Sequence, residues 1–271
     1  MVKSEMKHIC KERFKIKRGG LTIRGTRYGK PVSNSPAVIL SHGFMANSLM
    51  CRKYAKLLAE MGYLAFIYDF CGGCLIGRSS GKTTDMSVLS EKDDLAAVIR
   101  YVSELPYVDD KRISLFGCSQ GGFVSAMAAA DHPERISSLV LLYPAFCIPD
   151  DARKGHMMFA KFDPENVPEK IWCGPMRLGA CYVKAVQNMD PYDVIRGYTG
   201  PVLYLQGTAD HIVDIAYARR AMQEYQNCEY HEIDGGEHMF RGKHDRIAQE
   251  CIKNFFDSEN VRGSTAAQQA D

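Results

Sequence analysis

The stretch Ile113-Ser114-Leu115-Phe116-Gly117-Cys118-Ser119-Gln120-Gly121-Gly122-Phe123-Val124-Ser125-Ala126-Met127-Ala128-Ala129 decides how this chain is read. An almost wholly apolar strand, Ile113–Phe116, runs into a G-x-S-x-G turn, and a helix-like stretch follows at once. That succession is a nucleophile elbow. The serine is forced into a strained backbone at a tight turn, and side chains two positions either side would collide with the neighbouring strand or helix. The helix N-terminus also favours negative charge beside the reacting centre. The same pattern recurs at Gly77-Arg78-Ser79-Ser80-Gly81, well beyond the strand ending near Phe70 and followed by another loop. A serine there has no elbow to expose it, so Ser79 reads as structural and Ser119 as the nucleophile.

Outward from the elbow, short apolar runs alternate with amphipathic segments. The runs are 37–40, 64–68, 113–116, 139–142 and 202–205, and such runs fit strands buried on both faces of a parallel sheet. Tyr54, Leu57, Leu58 and Met61 share one helical face, as do Leu95, Val98, Ile99 and Val102, while Ile247, Cys251, Phe255 and Phe256 mark a last helix. At the start, Phe14 and Ile16 alternate with lysines, Gly19-Gly20 supplies a turn, and Leu21 and Ile23 resume the alternation, which predicts a hairpin. The fold class is α/β, a mainly parallel sheet with helices on both faces.

One interval breaks the rhythm: about 55 residues separate the strand ending near Tyr143 from the next at Val202, far more than an ordinary α/β link. It holds Phe146, Met157, Met158, Phe159, Phe162, the single tryptophan Trp172, Met176, Leu178 and Tyr182. A small folded cap inserted after the sixth strand is expected. The division is then a core of 1–145 and 200–257, a cap of 146–199, and a small, polar, disordered tail of 258–271.

A serine needs a base, and on an elbow of this kind the partners follow in the order Ser, Asp or Glu, His. Strand 202–205 ends in Gln206-Gly207-Thr208-Ala209-Asp210, and the strand Tyr230–Ile233 leads to Asp234-Gly235-Gly236-Glu237-His238. Asp210 and His238 are the expected acid and base. Asp214 is the competing acid, but its position before Ile215–Tyr225 suits a helix cap. His211 reads as loop packing, His231 as a strand residue and His244 as the start of the last helix. Two backbone donors should face the oxyanion: the N–H of Gln120 and, from the loop Ser41-His42-Gly43-Phe44, the N–H of Phe44. His42 orders that loop, and Cys118 is buried beside the strand.

The bulk numbers bound the rest. A chain of 271 residues with 46% hydrophobic and 24% charged residues can bury one large core, and a net charge of +2 gives no general attraction to nucleic acid or membranes. The N-terminus is charged from its third residue without an apolar h-region, and no run approaches the roughly 20 apolar residues of a span. A cytoplasmic protein is expected. Ten singly scattered cysteines suit a reducing compartment, and Cys71-Gly-Gly-Cys74 lacks the second ligand pair that a metal site needs. No metal and no cofactor is called for.

His42-Gly43-Phe44 with Ala46-Asn47, Asp69-Phe70, Ser119-Gln120-Gly121-Gly122 and Lys161-Phe162-Asp163-Pro164-Glu165-Asn166 resemble the bacterial cinnamoyl (feruloyl) esterases of the α/β-hydrolase superfamily. The resemblance spans about residues 20 to 257. It implies hydrolysis of hydroxycinnamate esters without a cofactor, Ser119, Asp210 and His238 as the triad, Phe44 and Gln120 as oxyanion donors, and a homodimer. It also puts Asp151 and Tyr182 where relatives bind hydroxyls of the phenolic ring, and Met158 where some carry glutamine; Trp172 joins these three as a substrate-binding candidate. Cys118 stands where a histidine is common, and the loop Cys71–Gly77 is longer than the usual GHG type. The same triad could serve an acyltransferase, a peptidase or a lipase-like esterase, and a hydrolase fold can also serve as a binding protein.

Overall fold

A computed structural model describes residues 9–268. The expected hairpin opens the described chain: β1 (Lys11–Arg18) pairs antiparallel with β2 (Leu21–Tyr28), through a turn in which Gly19 takes φ 55°. Next come β3 (Ser35–Ser41), α1 (Arg52–Glu60), β4 (Leu64–Asp69), α2 (Val88–Ser103), β5 (Val108–Cys118), α3 (Gln120–Asp131) and β6 (Ser138–Leu142). The insertion holds α4 (Ile148–Arg153), β7 (His156–Met157), β8 (Ala160–Lys161), β9 (Lys170–Cys173), β10 (Met176–Gly179), α5 (Ala180–Lys184) and α6 (Pro191–Ile195). The core resumes with β11 (Val202–Gly207), α7 (Ile215–Glu224), β12 (Cys228–Ile233) and α8 (Gly242–Gln268). Among the described residues, no helix is long and apolar enough to cross a membrane.

The eight large strands lie in the order β1-β2-β4-β3-β5-β6-β11-β12, parallel from β4 to β12. The alternation of side chains splits the core in two. Ile39, Phe66, Leu115, Leu139 and Tyr204 face the layer holding α2, α3 and α7, whereas Leu40, Ile67, Phe116, Val140 and Leu203 face α1 and α8. Being buried on both faces, these strands read as continuous apolar runs.

The cap does not build a core of its own. Met157, Ile171, Cys173, Met176, Leu178 and Tyr182 belong to the same apolar cluster as Phe123 and Phe146 beneath the sheet. Two short hairpins, β7–β8 and β9–β10, project from that base.

The C-terminus departs from the expected tail beginning at 258. The backbone stays helical through Gln268, so α8 runs on past Phe255 and Phe256, which pack in the core. The charged N-terminal residues 1–8 and residues 269–271 lie outside the described residues.

Candidate active site

At the end of β5 the chain makes the expected sharp turn, and Ser119 takes φ 53° and ψ −123°. A non-glycine residue there costs about 1–3 kcal/mol, so the surroundings must impose it. They do so by close packing. A Cβ on Gly117 would stand 2.3 Å from the Gly121 carbonyl oxygen, and one on Gly121 would stand 2.3 Å from the His42 carbonyl oxygen. The elbow and the β3 loop therefore touch backbone to backbone. A Cβ on Gly43 would lie 3.1 Å from Ser119 Cβ, which measures how near the 41–44 loop comes to the serine.

The structure brings Ser119, His238 and Asp210 together. His238 Nε2 lies 3.0 Å from Ser119 Oγ, and His238 Nδ1 lies 2.8 Å from Asp210 Oδ2. Asp210 Oδ1 accepts the N–H groups of Ile212 and Val213, both at 2.9 Å, and Gln206 Nε2 donates to Oδ2 at 3.0 Å. Burial alone would raise this carboxyl. The hydrogen bond and charge of His238, with the two amides, outweigh burial and hold it below the ordinary aspartate value. An ionised Asp210 fixes the ring so that Nε2 faces the hydroxyl. That geometry suits removal of the Ser119 proton by His238.

The competing residues fall elsewhere. Asp214 caps α7 by accepting from Ala216 N–H at 2.8 Å, His231 pairs with Glu229 on β12, and His244 lies in α8. His42 is buried with Nδ1 2.8 Å from the Gly43 carbonyl, and its Nε2 accepts from Phe70 N–H at 3.1 Å. Burial lowers its pKa, so it holds the loop as a neutral ring. Cys118 is fully buried. Ser79 Oγ serves the structure, donating to the Asp69 carbonyl and accepting from Arg24 N–H at 2.8 Å.

A cavity of about 170 Å³ opens beside Ser119, lined by Phe44, Gln120, Ala145, Cys147, Ile148, Asp151, His156, Met157, Met158, Phe159, Tyr182, His211 and Ile212. Phe44 and Gln120 thus sit with the serine, and Asp151, Met158 and Tyr182 line the same space. Trp172 does not. Along β9, Ile171 and Cys173 point inward while Trp172 is 65% exposed, under the Arg177 guanidinium at 4.9 Å. Its removal from the candidate substrate-binding residues follows from the period-two alternation of a strand. His211, expected to pack in a loop, instead reaches the cavity wall.

Three contributors were not visible from the sequence. Tyr143 stands against His238 with ring centroids 4.6 Å apart. His156 Nδ1 lies 3.2 Å from Asp151 Oδ1. Burial raises the Asp151 carboxyl, and the charge of His156 with hydrogen bonds from Cys147 and His156 opposes the rise only in part. The third is Glu91 on α2, which accepts from Gln120 Nε2 at 2.7 Å, while Tyr182 donates to Gln120 Oε1. A buried chain therefore links α2, the residue after the nucleophile, and the cavity wall. Among the described residues, no group of three or more His, Cys, Asp or Glu could hold a metal ion.

The fold and this site define a hydrolase of the α/β class. The chain belongs to the alpha/beta hydrolase fold family, whose model matches residues 36–171. It is similar to the solved structure of Est1E from Butyrivibrio proteoclasticus with ferulic acid bound, at 29% identity and TM-score 0.85, covering 92% of this chain and 99% of that one. The expected resemblance to bacterial feruloyl esterases is thereby met. A monoglyceride lipase homolog of Monkeypox virus is 24% identical over 84% of this chain and 90% of its own length. The polyketide transferase grgF of Penicillium sp is 33% identical over 46% of this chain and 42% of its own.

Proposed function

We propose that the protein is a serine carboxylesterase acting on hydroxycinnamate or similar aromatic esters through an acyl-enzyme. The observation that carries this is the Ser119–His238–Asp210 array opening into a mainly apolar cavity with Asp151 and Tyr182 among the polar side chains of its wall. Ser119 Oγ attacks the ester carbonyl as His238 Nε2 takes its proton. The backbone N–H groups of Phe44 and Gln120 stabilise the oxyanion, and His238 returns the proton to the leaving alcohol. Water then repeats the sequence on the acyl-enzyme, with His238 as base and then acid. Met158, Phe159 and Ile148 supply apolar surface for an aromatic acyl group, while Asp151 and Tyr182 offer hydrogen bonds to ring hydroxyls. The ferulic acid in the Est1E structure supports the same substrate class.

A panel of p-nitrophenyl esters and methyl hydroxycinnamates tests the reading. Wild type should hydrolyse methyl ferulate, and Ser119→Ala should lower kcat by a factor on the order of 10⁶, the scale for losing a serine nucleophile. Retained turnover in the variant would refute the mechanism. Turnover of short aliphatic esters alone would refute the substrate class and leave the esterase intact. The polyketide transferase relative supports a second reading, acyl transfer to an organic acceptor. Partition of the acyl group between water and added alcohols or amines decides between them.

A further inference from the structure

The first two strands carry an uneven distribution of charge. β1 reads Lys11-Glu12-Arg13-Phe14-Lys15-Ile16-Lys17-Arg18. Its alternation turns Phe14 toward Phe66 and Tyr101, leaving Lys11, Arg13, Lys15 and Lys17 on the opposite face. Cations on the Phe14 face are neutralised: Arg27 Nη2 lies 2.8 Å from Glu12, and Arg18 Nε lies 2.5 Å from Asp94. The other face is not treated this way. The register sets Lys15 directly opposite Arg24, a like-charge pair that weakens a sheet, with Arg13 one pleat away. Among the described residues, Arg13, Lys15 and Arg24 form no salt bridge.

The second G-x-S-x-G stretch walls this face in. Where β4 ends, Ser79 and Ser80 take its place beside β2: Thr22 N–H donates to Ser80 Oγ at 2.7 Å, and Ser80 N–H to the Thr22 carbonyl at 3.0 Å. Arg24 N–H donates to Ser79 Oγ at 2.8 Å. Arg78 is thereby held over β2, its Nη1 3.3 Å from Thr26 Oγ1 and its Nη2 3.3 Å from Ser48 Oγ. Asp69 lies 3.5 Å from Arg78 Nε, but its carboxylate already accepts the N–H groups of Ser48 and Arg78 at 2.8 and 2.7 Å. Arg13, Lys15, Arg24 and Arg78, all exposed, line with Phe14 and Gly25 an open groove of about 500 Å³ whose lining holds no acidic side chain.

We propose that this groove binds a small, multiply charged anion of the diphosphate or phosphorylated-metabolite class, at a site separate from the Ser119 cavity. Strand geometry puts Lys15 about 5 Å from Arg24 and about 7 Å from Arg13 at Cβ, close enough for neighbouring phosphoryl groups to meet all three. Arginine forks add bidentate contacts, and the anion relieves the repulsion across the Lys15–Arg24 pair.

Calorimetric titration with pyrophosphate, at constant ionic strength, tests this on the full chain. Wild type should bind one equivalent saturably. Lys15→Ser/Arg24→Ser should weaken binding about tenfold or more, the scale of lost charge-assisted hydrogen bonds. The double variant should be at least as thermally stable as wild type without ligand, because it removes a repulsive pair, and p-nitrophenyl butyrate hydrolysis should not change. Arg13→Gln, a single exposed change, should weaken binding independently. Absence of saturable binding, or equal binding by wild type and variants, overturns the proposal. So does tighter binding of heparin than of pyrophosphate, which would make the groove part of a track for an extended polyanion.

Discussion

Glu91 is buried away from solvent. Burial pushes its carboxyl well above the ordinary glutamate range; the hydrogen bond from Gln120 opposes the rise and the Asp94 charge adds to it. A carboxyl whose folded pKa is raised contributes stability fully present below its unfolded value, near 4.5, and lost as pH climbs toward the folded value. Asp210 has the opposite sign: its lowered pKa contributes stability above the unfolded value, lost as pH falls through the folded one. Glu91→Gln keeps an acceptor for Gln120 Nε2 but has no proton to lose. The Tm difference between variant and wild type should therefore move in the variant's favour from about pH 5 to about pH 9. Thermal melts across that range check it, and parallel curves would mean that Glu91 does not titrate against the fold. The same variant should change KM for hydroxycinnamates more than kcat, since Glu91 reaches the cavity only through Gln120 and Tyr182.

The elbow is held by contacts between backbones, so its tolerance is set by glycine positions and not by hydrophobicity. Gly121→Ala would force a methyl group within 2.5 Å of two carbonyl oxygens, those of Ser41 and His42. The loop bearing Phe44 must then retreat, with a loss of about 1–3 kcal/mol for overpacking and a fall in kcat. Gly20→Ala, in the hairpin turn with nothing within 4 Å, should leave stability within about 0.5 kcal/mol. Urea unfolding of both variants with kcat on p-nitrophenyl butyrate makes the comparison. Elements of this kind were legible in the sequence because their causes are local: a strand, a tight turn and a helix are written in consecutive residues at Ile113–Ala129. Asp210 and His238 were legible because each lies in the short turn after a strand, in the chain order that the elbow requires. Tyr143 and Glu91 were not, because their partners His238 and Gln120 are brought to them only by packing, and the pairing of His156 with nearby Asp151 depends on the turn between α4 and β7. Trp172 was misread for a related reason. An aromatic residue in an apolar segment does not declare its face until the strand is paired, and β9 turns it outward.

Across the whole molecule, stability and selectivity rest on different surfaces. The central strands of the sheet are covered on both sides, and their residues are inaccessible, as with Phe66 at 1% exposure. The cap shares its core with the sheet, so Met157 and Tyr182 are fixed by packing, and only the exposed cavity-facing side chains are free to vary without unfolding the chain. Phe159, 73% exposed on the cavity wall, is such a residue. Phe66→Ala should cost about 3–5 kcal/mol, the range for truncating a buried aromatic, and lower Tm by roughly 6–10 °C. Its residual activity should keep the wild-type order of preference among esters. Phe159→Ala should leave Tm nearly unchanged, within about 0.5 kcal/mol, while raising KM for aromatic acyl esters relative to short aliphatic ones. Melting curves and the ester panel on both variants decide the point. A Phe159→Ala enzyme that melts as early as Phe66→Ala would mean that the cap is part of what holds the sheet. Unaltered preference at normal stability would mean that the acyl group lies elsewhere than between Met158, Phe159 and Tyr182.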